Sequence, residues 1–243
     1  MSKTENQFTV VVWNTEWASP KSRSGRGEII RREILSVDPD IVCLTEAVPA
    51  LLPDGGYTLE PEDPAPYTRG DGGQKVLLWS RWPWEHSVGT LPSGTTGRFV
   101  EGVTGPEGSP IRFTGVCIPW HESQVRTGNK NRERWEDHLA YIHALGPREI
   151  AGPSDIPEVM LGDYNQRIPR YWQRTDVFEA LMDYLEGWDV ITSGWEKPVD
   201  GLIDHVALRG GVDGTLEHIW PTHLDEVRLS DHVGLHVSLR VKE

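Results

Sequence analysis

The stretch PEVMLGDYNQRIPR, residues 157–170, decides how this chain is read. Val159, Met160 and Leu161 form an apolar run that suits a buried strand. The run ends in an acid, Asp163, and an amide, Asn165, followed by Arg167 and Arg170. A solvated loop would ordinarily place Ser, Gly and Pro there. A strand that delivers such groups at its end points to a site, provided other strands do the same.

They do. Asn14 and Glu16 follow VVVW, Glu46 follows IVCLT, His121 follows VCIPW, Asp204 and His205 follow GLI, and Ser230-Asp231-His232 precedes the terminal strand VGLHVSLRV. Each has a plain alternative when taken singly. Glu46 reads as a cap or turn acid, Asp163 as a turn residue bonded to its own backbone, His121 or His205 as a core histidine, and Asp231-His232 as a surface pair. Recurrence on unrelated strands shifts the weight: if the sheets bring these ends together, they form one polar crevice on a rigid scaffold.

The elements between these points alternate. FTVVVWN (8–14), DIVCLTEA (40–47), KVLLWS, the segment Trp84–Val88, GRFVEGVTG and SPIRFTGVCIPW read as strands, as do IDHVALRG and the region of TLEHIW. GRGEIIRREILSVDPD, NRERWEDHLAYIHAL (131–145) and TDVFEALMDYLEG show helical spacing, the second with Trp135, Leu139, Ile142 and Leu145 on one face. Residues 49–73 are rich in Pro, Gly and Asp and read as loop, with a short strand near Tyr57. This order predicts an α+β fold, a four-layer α/β/β/α sandwich of two mostly antiparallel sheets flanked by helices.

Composition bounds the rest. With 243 residues and no linker-like stretch the chain reads as one domain, 1–243. Its 11 Trp, 6 Tyr and 4 Phe supply bulk for a large core, which excludes global disorder. Cys43 and Cys117 lie in apolar runs and read as reduced core residues, neither a disulfide framework nor a zinc cluster. No basic and apolar leader opens the sequence and no long apolar span follows, so a soluble, cytoplasmic protein is expected, with no membrane or obligate protein partner. The net charge of −13 disfavours non-specific coating of nucleic acid. Two basic clusters run against it: Arg126, Lys130, Arg132 and Arg134, and Arg167, Arg170 and Arg174. They read either as solvated charges or as a phosphate-facing rim.

Carboxylates, amides and histidines in this proportion suit phosphate-ester hydrolysis assisted by a hard divalent cation. Mg²⁺ takes carboxylate and amide oxygens and keeps several waters, a second acid handles the attacking water, and a histidine held by an acid meets the developing charge. The motifs VVWNTEW, DPDIVCLTEA, VCIPWHES, LGDYNQ, LIDHVAL and LSDHVGLHV, in this order from residue 8 onward, resemble the endonuclease/exonuclease/phosphatase (DNase I-like) superfamily. That resemblance implies the two-sheet sandwich and a metal-dependent phosphoesterase using Mg²⁺, with Mn²⁺ as a substitute. It implies Glu46 as principal metal ligand, with Asn14 and Asp231 beside it. It further implies Asp163 as the acid aligning or activating water, Asn165 as the amide holding water and phosphate, His232 as the essential histidine with Asp204 fixing its tautomer, and His121 as a phosphate contact. Thr45 stands where the family commonly has Gln, Tyr164 where Phe is frequent, and Pro119-Trp120 replace the usual polar approach to the histidine.

Nucleic acid or a small phosphodiester is the expected substrate, with Arg126, Lys130, Arg132, Arg167 and Arg170 as phosphate contacts. Trp172 and Trp195 are candidates for base stacking. A nuclease cleaving DNA or RNA leads. A phosphomonoesterase of inositol-phosphate or nucleotide type is the alternative, and a non-catalytic binding module the third.

Overall fold

The computed structural model describes residues 6–65, 71–126, 128–148, 150–194 and 202–242. In chain order the elements are β1 (Gln7–Asn14), α1 (Arg26–Ser36), β2 (Ile41–Ala47), β3 (Tyr57–Leu59), β4 (Gln74–Ser80), β5 (Glu85–Val88), β6 (Phe99–Thr104), β7 (Ile111–Cys117), α2 (Glu136–Leu145), β8 (Glu158–Asp163), α3 (Thr175–Tyr184), β9 (Asp189–Val190), β10 (Asp204–Arg209), β11 (Val212–Trp220), β12 (His223–Leu224), β13 (Val227–Arg228) and β14 (Gly234–Val241). They build two six-stranded sheets, ordered β11-β14-β1-β2-β4-β3 and β5-β6-β7-β8-β10-β9, with β12 and β13 as a separate ribbon.

Each large sheet has one parallel pair, β1 with β2 and β7 with β8, and its other pairings are antiparallel. Parallel neighbours need a crossover, and the crossovers carry α1 and α2. Those helices are thereby placed on the outer faces.

Successive side chains of β1 point opposite ways. Val10 and Val12 pack between the sheets with Cys43, Phe113, Leu161 and Val206. Val11 and Trp13 pack outward beneath Ile30 and Ile34 of α1. On the far side Val116 and Met160 meet Tyr141, Ile142 and Leu145 of α2 and Leu181 of α3. Three apolar layers separate four layers of structure, giving the expected α/β/β/α sandwich. Both faces of the central strands are covered, which is why they read as continuous apolar runs. Cys43 and Cys117 are buried free thiols, and burial pushes the pKa of Cys117 up to about 12.

One helix departs from expectation. α2 starts at Glu136, not near residue 131, and its buried face is His138, Tyr141, Ile142 and Leu145, with Leu139 half-buried. Trp135 causes this. Its φ of 72° is left-handed, its N–H donates to the His121 carbonyl at 2.8 Å, and its ring lies against the His121 ring. Among the described residues no helix is long and apolar enough to cross a membrane.

Gly162 sits one residue before Asp163 with φ of 130°, and a Cβ there would collide with the Val116 carbonyl of the parallel neighbour. A Gly162→Ala variant is expected to lose on the order of 2 kcal/mol or more of stability, because both strain and collision act on one residue. Denaturant unfolding measures it, and a loss below about 0.5 kcal/mol would refute this account of the β7–β8 approach.

Candidate active site

Strand register explains why residues far apart in the chain meet. Asn14 ends β1 opposite Thr45, which places Glu46 at the same edge of the first sheet. Asp163 ends β8 opposite Cys117, and Asp204 begins β10 directly opposite Asp163. β14 runs antiparallel to β1 and starts with Gly234 opposite Trp13, so Asp231 and His232 arrive at that same edge.

Asn14 crosses between the sheets: its Nδ2 donates to Asp163 Oδ2 at 3.0 Å. Asn165, in the left-handed region with φ of 52°, donates its backbone N–H to Asp163 Oδ1 at 2.8 Å and its Nδ2 to Oδ2 at 2.9 Å. Both oxygens of Asp163 are therefore held. His232 donates Nδ1–H to Asp204 Oδ2 at 2.5 Å, and its Nε2 stands 3.9 Å from Asp231 Oδ1. Ser230 fixes the approach, donating its hydroxyl to the Asn14 carbonyl at 2.6 Å and accepting the His232 N–H at 3.2 Å.

The electrostatics follow from burial and proximity. Burial raises the Asp163 pKa; the His232 charge works against this, and the Asp204 and Glu46 carboxylates reinforce it. Burial disfavours charge on His232, but Asp204 in contact, with Asp163 and Asp231 beyond, outweighs it and holds the ring well above the usual imidazole range. The site carries an excess of carboxylate.

That excess fits a hard divalent cation. Glu46, Asp231 and the Asn14 amide oxygen are the kind of donor such ions take. Asp204 Oδ1 is a buried oxygen without a hydrogen-bond partner among the described residues. Asp163, Asp204 and His232 also offer ligand atoms within 4.8 Å of one another. The bond from His232 Nδ1 to Asp204 makes that trio an ion pair rather than a set of free donors.

Two residues beside these have structural work. Glu16 accepts from Arg26 at 3.0 Å and from Arg228 at 2.6 Å, tying the loop after β1 to the start of α1 and to the segment before Ser230. Burial would raise its pKa, and the two guanidiniums override that and lower it. His205 bonds to Thr192 and to the Gln166 carbonyl, beneath the loop that carries Asn165.

A cavity of about 890 Å³ opens on this edge. Asn165, Asp204, Asp231 and His232 line one part of it, Leu202, Leu216, Ile219 and Val233 another, and Trp120, His121, Arg167 and Trp172 a third. His121 thus lies on the cavity wall framed by Trp120, Trp135 and Trp172, with ring centroids at 5.2, 5.2 and 4.9 Å. Its pKa is lowered by burial and by Arg134, with Arg126 adding.

Of the expected phosphate contacts, Arg167 lines the cavity and stacks on Tyr171. Arg126 and Arg134 share Glu122 at 3.1 and 3.6 Å, and Arg132 pairs with Glu136 and Asp137 at 3.0 and 3.2 Å. Arg170 donates to the Gln173 carbonyl, Lys130 is exposed, and Trp195 lies outside the described residues. Sequence reasoning missed Lys75, whose Nζ sits 2.5 Å from Glu46 Oε1. Only the register of β2 against β4, with Ala47 opposite Gln74 and Thr45 opposite Val76, brings the two together.

A family model for the Endonuclease/Exonuclease/phosphatase family matches residues 11–232. The chain belongs to this family. Its enzymes hydrolyse phosphoester bonds. Among solved structures, the catalytic domain of human Nocturnin with a bound sulfate anion is similar at 18% identity over 97% of this chain and 95% of that one, with a TM-score of 0.64. The endonuclease domain of TRAS1, a telomere-specific non-LTR retrotransposon, matches at 14% over 98% and 100%, TM-score 0.60. An endonuclease/exonuclease/phosphatase from Beutenbergia cavernae DSM 12333 matches at 17% over 98% and 72%, TM-score 0.60. At such identities the likeness is one of fold. No curated protein matches the chain in sequence.

Gln166 clamps the Asp163–Asn165 loop from below. Its Nε2 donates to His138 Nε2 at 2.8 Å and to the Val177 carbonyl at 3.1 Å, while His138 Nδ1–H donates to the Pro119 carbonyl at 2.6 Å. These partners require neutral imidazole, and the groups facing it are that carbonyl, that amide, the Trp135 ring and the His121 imidazole. Burial lowers the His138 pKa to about 4 from the ordinary 6.5. The unfolded chain takes up this proton first, so burying the neutral ring contributes stability that is fully present above pH 6.5 and is lost as pH falls toward 4. The loss should approach about 3 kcal/mol. Denaturant unfolding at pH 7, 6, 5 and 4.5 should show a shallower acid decline for His138→Gln than for the unaltered protein, and parallel declines would rule the clamp out.

Proposed function

We propose that this phosphoesterase is a divalent-metal-dependent phosphodiesterase acting as a nuclease on DNA or RNA. One arrangement supports the reading: Asp163, held from both sheets, stands beside an Asp204–His232 pair, and that pair lines a cavity large enough for a nucleotide unit. Glu46 and Asp231, with Asn14, would hold Mg²⁺ or Mn²⁺, which when bound neutralises charge on the phosphate oxygens. Asp163, immobilised by two amides, aligns the attacking water and takes its proton. Asn165 fixes Asp163 and borders the phosphate position. His232, oriented by Asp204 at Nδ1, presents Nε2 to the charge that develops on phosphate or on the leaving oxygen. His121 meets the substrate from the opposite wall.

The substrate side favours a diester with a planar organic group. Trp120 and Trp172 are 37% and 51% exposed at the cavity edge, where bases stack without sequence preference. Among the described residues Arg167 is the one guanidinium in the lining, which suits a single phosphate better than the several of an inositol polyphosphate.

Short single-stranded DNA and RNA should be cut in Mg²⁺ or Mn²⁺ and left intact with chelator. His232→Ala and Asp163→Asn should each lower kcat by about 10³-fold in protein that still folds, with a change in melting temperature too small to account for the loss. Full activity in both would sink the reading. Trp172→Ala should raise KM about tenfold with kcat little changed, and an unchanged KM would remove the stacking wall from the account.

A further inference from the structure

Lys75 is a buried lysine at the edge where Glu46 stands: its side chain is 6% exposed, against 24% for that of Glu46. Lysine rarely accepts burial, because its ammonium is strongly hydrated and unpaired burial is costly. Here it is compensated from two directions. Nζ lies 2.5 Å from Glu46 Oε1 and 5.1 Å from the centroid of the Trp17 ring. Trp17 is itself fixed to the same residue, donating its backbone N–H to the Glu46 carbonyl at 2.6 Å. Glu46 sits in the left-handed region with φ of 47°, and Thr15 Oγ1 donates to its carbonyl at 2.9 Å. β2, β4 and the loop after β1 together hold the ammonium against this carboxylate.

We propose that Lys75 is a resident counter-cation of Glu46 that competes with the divalent ion and so sets the metal affinity of the site. This rests on reading Glu46 as a metal ligand. With Lys75 in place, Glu46 is neutralised and aimed before metal arrives, so the metal-free protein does not carry a half-buried, uncompensated carboxylate. An incoming divalent cation must share or displace that ammonium, and repulsion between the two cations weakens its binding. Lys75 is therefore a positioning residue, acting through Glu46 and not on the substrate. A neutral residue here should tighten metal binding and make the metal-free protein less stable. Arginine, which keeps the charge, should do neither to the same degree.

The test is the dissociation constant for Mn²⁺ and Mg²⁺, by calorimetry without substrate, for the unaltered protein, Lys75→Gln, Lys75→Arg and Glu46→Gln. The expected result is binding about tenfold tighter in Lys75→Gln, near-unaltered binding in Lys75→Arg, and a melting temperature for Lys75→Gln that is lowered in chelator and recovers in excess Mg²⁺. Unchanged or weaker binding in Lys75→Gln overturns the proposal, as does a melting deficit of equal size with and without metal, the mark of a merely structural lysine. Loss of substrate affinity with metal binding unchanged would instead make Lys75 a phosphate contact, and overturns it too. Should Lys75→Gln not fold, the ¹⁵Nζ resonance of Lys75 in the unaltered protein decides: a saturable shift on Mg²⁺ addition is expected, and an unmoved resonance refutes the competition. Glu46→Gln separates the layers. If it binds metal normally, the ligand assignment itself fails; if it loses metal while Lys75→Gln is unaltered, only the competition fails.

Discussion

The hydrogen bond from Asn14 to Asp163 joins the last residue of β1 in one sheet to the last residue of β8 in the other. Two face-packed sheets have apolar surfaces between them that resist shear only by shape. A polar tie at the edge, where that packing ends, fixes the one relative position that chemistry requires. The tie exists because each sheet contains a single parallel pair. A parallel pair directs two strand ends the same way, and antiparallel neighbours return at that edge, so the acids of β8 and β10 and the approach to β14 converge by topology alone.

Convergence of carboxylates in a buried place must be compensated, and the chain does it twice over. Asp204 takes His232, and Glu46 takes Lys75. Lys75 comes from β4 and His232 from the turn before β14, so each ion pair also records a tertiary contact. The same logic appears away from the site, where the fully buried Glu101 accepts from Arg148 at 2.8 Å, Thr114 at 2.7 Å and the Ala151 N–H at 2.8 Å. There every oxygen is satisfied. At the candidate site Asp204 Oδ1 has no hydrogen-bond partner among the described residues.

Periodicity made the strands and layers legible because burial on one or both faces leaves a repeat of two or a continuous run, as in β14 and β2. The polar strand ends were legible for the same reason: they break such runs. What stayed hidden depends on pairing across the chain. Lys75 sits in a sequence that reads simply as strand, and only register sets it opposite Glu46. The start of α2 was misplaced because helical spacing continues through Trp135, while a left-handed backbone and a bond to His121 stop the helix there. The arginines of the 126–134 segment read from the sequence as solvated charges or as a phosphate rim; Arg126 and Arg132 pair with Glu122 and Glu136 four residues away, and Arg134 also reaches Glu122.

The reacting groups and the cavity walls come from different kinds of structure. Asn14, Glu46, Asp163 and Asp204 lie on strands whose neighbours are fixed by ladders on both sides. Trp120, His121, Arg167 and Trp172 follow β7 and β8 in connecting segments, and Leu216 and Ile219 come from the edge strand β11. Substitution in the second group changes what fills the cavity without moving the first, since connecting segments carry few of the contacts that set strand register. The strand-borne acids and amide and the tryptophan wall above them can then vary independently.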